Sequence, residues 1–542
     1  MTRRALAGAS PLLFAGCILA NPDFDPFGSA SGSSGATAAT ATEPTTSSAA
    51  TGESTSASST ATTGGPSTTE PTTSVSTTTT ATSATTATTG ETTGETTTAG
   101  MPCAEPPVAW AVRFHGAGMQ YPENVAISDV GDIAVLGTYN GELRIDDDPE
   151  AVVDGSAGKD VFVARFTQSG ELQWLKTFKG DGGQVGEDIA FDPLGNVVFS
   201  VDNGGAVNFG GGLKSNATNE PDAVLVRLDV NGAHLTSWTY SSPGLARIND
   251  VVVEPDTNEF VIAGAFTESI SAEPANVTYF ADGAGLRGFV ARVANGGAVK
   301  WLHTIVGPGE SQILAVDVKD QDVVFSGVYS GADITIGGTK LPHQGGADIF
   351  AARVKADTAS LVWARRTGDA APQRANEVAF DPEGDVVIGG TFLGVLGAGS
   401  LESQSAADDV FVYKLGADAS ELWGIAAGAD GVELTESLAV APTGDIAWGA
   451  NFSGSFAVGD CAISSPTPGF FLADLTADGA VDWAVGYSAA TAAGIESLDF
   501  HHASYVAATG WYKGALTIGG HALPTPVNEF EDGFLIRLDP SM

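Results

Sequence analysis

The sequence predicts an all-β fold, in which seven four-stranded sheets stack around a common axis. Two spacings and one feature of the composition predict it. Tryptophans recur at steps of 60 to 64 residues, and a strand-like segment precedes each of the later ones. The chain contains 69 glycines among 542 residues and only 16% charged residues, which is typical of many short strands joined by turns. The recurring tryptophans are Trp110, Trp174, Trp238, Trp301, Trp363, Trp423 and Trp483.

Each repeat offers four strands. The text EDIAFDPLGNVVFS returns as NEVAFDPEGDVVIGG and ESLAVAPTGDIAWGA, and the proline and glycine in its middle predict two strands joined by a tight turn. A third strand is predicted by DVFVARF and its copies DIFAARV, DVFVYKL and DGFLIRL, and a fourth strand carries the tryptophan. Four strands in a repeat of this length predict the blade of a seven-bladed β-propeller.

The two ends of the repeat region predict how the ring closes. The last repeat stops at DGFLIRLDPSM without a tryptophan strand, whereas the region begins at PPVAWAVRF with a tryptophan strand that belongs to no preceding repeat. We therefore expect the N-terminal strand to complete the last blade, which leaves no uncovered sheet edge. The tryptophans are expected to pack between blades, so that Trp363→Ala should cost about 3 to 5 kcal/mol.

An aromatic side chain ends the second predicted strand of most repeats. Such a ring could pack between blades, or it could border the central channel or a binding face, where aromatic residues are enriched. These residues are Tyr139, Phe266, Tyr329, Phe392, Phe452 and Tyr512.

The N-terminal segment predicts export. Arg3 and Arg4 precede a short apolar run that is too short to span a bilayer as a mature helix. The text LFAGC resembles the lipobox of bacterial lipoproteins, although Phe14 stands where leucine is usual. The resemblance implies cleavage before Cys17 and lipid attachment to that cysteine. The alternative is an ordinary secretory signal.

Three regions follow from these boundaries: a signal peptide at residues 1–16, a tether at 17–103 and the propeller at 104–542. The tether is almost wholly Thr, Ser, Ala and Gly. Such a segment buries too little apolar surface to offset the entropy of ordering, and it is predicted to be disordered. Its length suits a stalk that holds the propeller away from a membrane.

The repeats resemble the bacterial cell-surface β-propeller repeat family, with SBBP-like repeats. GVYSGADITIGG with DIFAARV and Trp363, and GWYKGALTIGG with DGFLIRL, carry the resemblance, which covers residues 107–542. The third repeat departs from the pattern, since Arg287 stands where aspartate is usual. The resemblance implies extracellular display and no established activity.

No catalytic, cofactor or metal site is predicted. The sequence contains no GxSxG, HExxH or P-loop pattern, and a strand rather than a helix is predicted after GAGLRG at 283–288. A formal charge of −41 excludes unassisted binding to nucleic acid. Ca²⁺ is a weak alternative to a solvated loop at Asp146, Asp147, Asp148 and Glu150, which lack EF-hand spacing.

Two cysteines remain once Cys17 carries a lipid. Cys103 precedes the closing strand of the last blade, and Cys461 lies in the adjacent sixth blade. In an oxidising compartment they form a candidate disulfide that would pin the closure of the ring.

These features predict a lipid-anchored propeller in the bacterial cell envelope, displayed from the outer membrane at the cell surface or facing the periplasm. Its partners would be the membrane, through Cys17, and a protein or glycan ligand on one propeller face, so that it acts as a binding or scaffold module. One alternative is an extracytoplasmic enzyme with a dispersed active site at the channel mouth, which carboxylates converging from several blades would favour. Another is a periplasmic scaffold for envelope assembly. Fold alone does not decide among them.

Overall fold

The computed structural model describes residues 103–539, except 147–150, 157, 217, 219, 284, 398–400, 405–406, 429–430, 432, 502–504 and 528. The predicted signal peptide, with Cys17, and nearly all of the predicted tether lie outside the described residues. The described part consists of strands and connecting segments, and within it no helix is long and apolar enough to cross a membrane.

The first half of the described chain runs from β1 to β20. In order, the strands are β1 (Val108–His115), β2 (Gln120–Ile127), β3 (Ile133–Tyr139), β4 (Glu142–Ile145), β5 (Val152–Asp154), β6 (Asp160–Phe166), β7 (Leu172–Phe178), β8 (Gly180–Asp181), β9 (Gln184–Phe191), β10 (Val197–Asn203), β11 (Ala206–Asn208), β12 (Leu213–Ser215), β13 (Asp222–Leu228), β14 (His234–Ser241), β15 (Ala246–Val253), β16 (Phe260–Phe266), β17 (Ser269–Ala272), β18 (Val277–Phe280), β19 (Arg287–Val293) and β20 (Val299–Thr304).

The second half runs from β21 to β41. These strands are β21 (Glu310–Lys319), β22 (Asp322–Ser330), β23 (Ile334–Ile336), β24 (Thr339–Leu341), β25 (Asp348–Lys355), β26 (Leu361–Thr367), β27 (Gln373–Phe380), β28 (Val386–Phe392), β29 (Val395–Leu396), β30 (Leu401–Glu402), β31 (Asp409–Leu415), β32 (Glu421–Ala427), β33 (Leu434–Val440), β34 (Ile446–Val458), β35 (Cys461–Leu475), β36 (Val481–Ser488), β37 (Ala492–His501), β38 (Tyr505–Lys513), β39 (Leu516–Ile518), β40 (His521–Leu523) and β41 (Asp532–Leu538).

The same four-stranded antiparallel unit recurs around a ring. The units, from first to last, are β2-β3-β6-β7, β9-β10-β13-β14, β15-β16-β19-β20, β21-β22-β25-β26, β27-β28-β31-β32, β33-β34-β35-β36 and β37-β38-β41-β1. The innermost strand of each unit contacts the innermost strand of the next, and β37 contacts β2, which closes the ring. The prediction of an all-β propeller is therefore confirmed.

The predicted four-stranded unit is present, and some sheets carry additional strands that the sequence did not predict. Two of these sheets have six strands, because the hairpin β4-β5 joins β1 and the hairpin β17-β18 joins β14. Further small sheets are formed by β8 with β11 and β12, by β23-β24, by β29-β30 and by β39-β40. These extra strands lie mainly between the second and third strands of a unit, where the connection is long enough to pair with itself.

The N-terminal strand completes the last unit, as predicted. β1 pairs with β41 from Val108 opposite Leu538 to Phe114 opposite Gly533. Beside this closure, Cys103 and Cys461 are joined by a disulfide, with their Cα atoms 5.2 Å apart. The bond links the segment before β1 to the start of β35 in the preceding unit.

The aromatic residues at the ends of the second strands belong to the core. Phe266 packs against Phe289 and Phe392 against Phe411, with ring centroids 5.9 Å and 5.7 Å apart. All six of these rings are fully buried, which supports the packing interpretation over the alternative that they border the channel or a binding face: Tyr139, Phe266, Tyr329, Phe392, Phe452 and Tyr512.

The recurring tryptophans connect each unit to the next. Trp363 is partly buried against the core of the following unit, and its Nε1–H donates to the Ala417 carbonyl in the turn between β31 and β32, at 3.1 Å. The same bond recurs from Trp110 to Gln168, Trp174 to Val230, Trp301 to Ala356 and Trp423 to Ala477. Trp483 Nε1 has no such partner among the described residues. It faces the last unit, whose third and fourth strands come from opposite ends of the chain and are joined by no turn.

The basic residue of the third-strand pattern reaches the same turn. Arg353 pairs with Asp322 of its own unit at 2.6 Å and donates to the Ala417 carbonyl at 3.4 Å. Lys414 likewise pairs with Asp381 at 2.6 Å and donates to a carbonyl of the next unit at 3.1 Å. In most units the repeated DxFxxR text and the repeated tryptophan therefore supply one contact with the next unit, at a backbone carbonyl in the turn between its third and fourth strands.

Candidate functional site on the propeller axis

Every innermost strand carries a β-bulge at the same position. One residue is skipped in its pairing with the second strand, and such a residue leaves the ladder with its side chain re-aimed. In order around the ring the bulged residues are Glu123, Glu187, Asn249, Leu314, Asn376, Glu436 and Glu496. The strands next to each bulge belong to the neighbouring units, so these positions surround the axis of the propeller.

Four consecutive bulges carry glutamate, and we call Glu436, Glu496, Glu123 and Glu187 the acidic arc. They are 8%, 5%, 0% and 1% exposed. The arc spans the joint at which the last unit meets the first. An arginine lies two residues before the bulge in each unit flanking the arc, and these residues are Arg247 and Arg374.

Burial raises the pKa of every carboxyl group in the arc. For Glu496 the pKa rises to about 7. For Glu436 the negative charge of Glu496 adds to the effect of burial, and Glu496 also raises the pKa of Glu123. Burial and the neighbouring Asp202 raise the pKa of Glu187. The arc therefore favours bound protons near neutral pH.

Two aromatic residues hold Glu496 in place. The Tyr121 hydroxyl and the Trp511 indole N–H both donate to Glu496 Oε1, the latter at 2.9 Å. The two rings stack with centroids 6.5 Å apart. Gly494 leaves room for the indole, since a Cβ there would lie 2.6 Å from Trp511 Nε1. Because Tyr121 belongs to the first unit and Glu496 to the last, this contact crosses the joint between those two units.

The other end of the arc is tied to a buried guanidinium. Arg247 Nη2 lies 2.6 Å from Asp202 Oδ2, and its Nε lies 3.6 Å from Glu187 Oε1. The two carboxyl groups raise the pKa of Arg247 despite its burial. The guanidinium therefore stays charged and stabilises one negative charge on this pair.

A separate cavity opens at the C-terminal ends of the innermost strands, beyond the bulges. Its volume is about 470 Å³, and we call it the hub cavity. Its wall is mostly Ala, Val, Phe and Pro, and the small side chains of Ala126, Ala190 and Ala441 help to keep it open. Val130 and Leu194, in the turns beside it, are 76% and 70% exposed. The lining comprises residues 126–129, 190–193, 251–253, 255, 317–319, 380–382 and 440–442.

The turns around the hub cavity carry exposed carboxylates. We call this set the acidic rim; it comprises Asp129, Asp256, Asp320 and Glu383, from four different units. Two further aspartates of the cavity wall are already paired, Asp192 with Arg227 and Asp381 with Lys414. One basic residue, Lys319, also lines the cavity, so the mouth of this apolar cavity carries more acidic than basic side chains.

The residues singled out in the sequence lie elsewhere. The tryptophans stand between units, and the disulfide lies beside the closing strand. Asp146 Oδ1 accepts the Arg113 backbone N–H at 2.8 Å, whereas Asp147, Asp148 and Glu150 are outside the described residues. Within the described ranges no group of three His, Cys, Asp or Glu side chains is placed to hold a metal ion.

Sequence reasoning missed both the acidic arc and the hub cavity. A signal for the arc was present: aligning ENVAI, EDIAF, NEVAF, ESLAV and ESLDF places a polar residue before the same apolar run in repeat after repeat. A polar residue repeated at a position that packing does not require indicates a common role on the axis.

Comparisons with known proteins give only distant similarities. No protein family's sequence profile matches the chain, and no curated protein matches it. The Dos1 propeller is 10% identical with a TM-score of 0.37, covering 80% of this chain and 95% of that one. An acylaminoacyl peptidase from Pyrococcus horikoshii is 11% identical with a TM-score of 0.37, covering 74% of this chain but only 52% of that one, so the chain spans about half its length.

A polysaccharide lyase described as a PL25 ulvan lyase is 10% identical with a TM-score of 0.33, covering 72% of this chain and 94% of that one. At these TM-scores the similarities carry no argument. The sheet order and the closed ring of inner strands alone place the chain in the class of β-propellers.

Proposed function

We propose that this chain is a lipid-anchored, seven-bladed propeller of the bacterial cell envelope that binds a basic polypeptide, whose apolar side chain enters the hub cavity. The observation that carries the proposal is the hub cavity itself. Six of the inner strands contribute corresponding residues to it, and its volume of about 470 Å³ lies in the range of ligand pockets. The exposed Val130 and Leu194 extend the apolar surface outside the mouth.

Charge selects the kind of partner. The protein carries a formal charge of −41, and the acidic rim surrounds the cavity. Such a field attracts cationic partners over several ångströms and repels anionic ones. A basic polypeptide with one bulky apolar side chain matches both the rim and the cavity.

Display at the bacterial surface is supported by the N-terminal sequence. The lipobox-like text at Cys17 and the Thr/Ser-rich tether favour an anchored stalk over a periplasmic scaffold. Metabolic labelling with a palmitate analogue tests the anchor, since Cys17→Ser should abolish labelling of the chain. Protease shaving of intact cells tests display, and a propeller that is cleaved only after the outer membrane is opened would contradict it.

The enzyme alternative has one observation in its favour, because carboxyl groups do converge from several blades in the acidic arc. Their burial argues against catalysis there. No glutamate of the arc is more than 8% exposed, and none of them lines the hub cavity. A polypeptide bound at the hub cavity would not touch them, and binding is therefore the function that we propose.

The experiment compares two short lysine and glycine peptides, one with a central phenylalanine and one with alanine in its place. Isothermal titration of the full chain should show binding of the phenylalanine peptide only. Ala190→Phe fills the cavity and should weaken binding by roughly tenfold or more. Ala298→Phe, at an exposed turn position, is the matched control and should leave binding unchanged. Equal binding of both peptides, or an unchanged affinity in Ala190→Phe, would overturn the proposal.

A further inference from the structure

The acidic arc contains more carboxyl groups than its surroundings can neutralise. Glu123 Oε1 and Glu187 Oε2 are buried and have no hydrogen-bond donor among the described residues. An ionised carboxylate that is buried without donors or counter-charge is strongly destabilising. Each such oxygen requires a proton on its carboxyl group or on a neighbouring one.

Few positive groups lie near the arc, and one of them is already paired with another carboxylate. Arg247 pairs with Asp202, and Arg374 Nε donates to Asn376 Oδ1 at 2.7 Å. The positive charge of Lys159 lowers the pKa of Glu123 and so partly offsets the effect of burial, but Lys159 lies outside the innermost strands. The groups that face the arc are four glutamates, Asp202 and Tyr121 on the acidic side, with Arg247, Arg374 and Lys159 on the basic side. One of the two arginines is therefore left to balance the four glutamates.

The position of the arc gives its protons a structural role. The Tyr121–Glu496 hydrogen bond joins the first and last units, and two hydrogen bonds from backbone N–H groups to side chains lie beside it. The Val125 N–H donates to Ser497 Oγ at 3.2 Å, and the Ile127 N–H donates to Asp499 Oδ2 at 2.7 Å. Negative charge that accumulates on the arc would push β2 away from β37, two strands that come from opposite ends of the propeller sequence and meet only when the ring closes.

We propose that the acidic arc is a proton-binding site that seals the joint between the first and last units when its glutamates are protonated, and loosens that joint when they ionise. The proton moves between a glutamate and solvent, and no other reactant is needed. The arc shares no residue with the hub cavity, so this inference stands apart from the proposed function.

Infrared spectroscopy of the full chain in heavy water tests the proton content. A carboxylic acid C=O band should be present at neutral pH and should fall as the pH is raised to about 9. Glu123→Gln and Glu496→Gln should each remove the contribution of one carboxyl group, and Glu171→Gln, an exposed turn position, should remove none. Because other buried acids contribute to the band, the differences between variants carry the result.

Hydrogen exchange tests the joint in the unmodified chain. After correction for the intrinsic effect of pH, the amides of Val125 and Ile127 should lose protection at about pH 9, while Val251, at the equivalent joint between the second and third units, should keep it. Glu496→Gln should retain protection at both pH values. A neutral-pH band that is identical in wild type and both arc variants would overturn the proposal, as would unchanged protection at the joint across this pH range.

Discussion

Replacing Trp363 separates the two contributions that the recurring indole makes to the contact between units. An indole buries about 150 to 250 Å² when it is fully buried. Trp363 is partly exposed and loses somewhat less area, on the order of 120 Å², which corresponds to about 3 kcal/mol. Its bond to the Ala417 carbonyl, at 3.1 Å, adds about 1 kcal/mol.

We therefore expect Trp363→Ala to lower the free energy of unfolding by about 3 to 4 kcal/mol. Trp363→Phe keeps most of the ring contact and loses the N–H donor, so it should cost only about 1 kcal/mol. Urea unfolding of the full chain, followed by far-ultraviolet circular dichroism, measures both. Val362→Ala, at an exposed neighbouring position, is the control and should change stability by less than about 0.5 kcal/mol.

A loss below about 1 kcal/mol in Trp363→Ala would refute the packing argument. A loss in Trp363→Phe as large as that in Trp363→Ala would show that the hydrogen bond, rather than the ring, carries the contact.

Three further predictions concern the contacts that hold the ring closed. First, thiol counting on the denatured chain should find neither Cys103 nor Cys461 free without reductant and both free after reduction, and two free thiols before reduction would exclude the bond. Cys461→Ser should cost about 2 to 5 kcal/mol, because the bond closes a loop of 358 residues. Second, a carboxyl pKa that is raised on folding stabilises the protein below its unfolded value, and this stability is lost as the pH rises through the folded value. For Glu496, with a folded pKa of about 7 against about 4.3 when unfolded, the loss between these values is on the order of 4 kcal/mol. Chemical denaturation at a series of pH values should show this decline, and Glu496→Gln should flatten it; an equal decline in the variant would contradict the assignment. Third, Gly494→Ala should displace the Trp511 ring and cost about 1 to 3 kcal/mol, with a changed near-ultraviolet circular dichroism spectrum as the readout.

The sequence was sufficient to predict the features that repeat because every unit needs them. Trp363 and Arg353 meet the same carbonyl, so each repeat must supply both types of residue at a fixed spacing. The unpaired tryptophan strand at Trp110 likewise required a partner at the far end of the chain. Such constraints leave a periodic trace that one sequence is enough to reveal.

The functional features depend on geometry that leaves no such trace. A β-bulge is a slip of one residue, and Glu123 or Glu496 looks in the sequence like any polar residue at a strand end. Only the closed ring brings four of these residues together. The hub cavity arises in the same way, since Ala126 and Ala190 are ordinary small residues until six strand ends surround one axis. The extra hairpins β4-β5, β11-β12, β17-β18, β23-β24, β29-β30 and β39-β40, which we call the outer hairpins, were not predicted because their sequences differ from unit to unit.

The most direct test of binding at the hub is the site of photo-crosslinking. The lysine and glycine peptide would carry benzoyl-phenylalanine in place of its phenylalanine, and mass spectrometry would locate the adduct on the full chain. The account predicts adducts at hub cavity residues such as Phe191, Phe380 and Val440, and their loss in Ala190→Phe. Adducts confined to the outer hairpins, with none in the hub cavity, would contradict it.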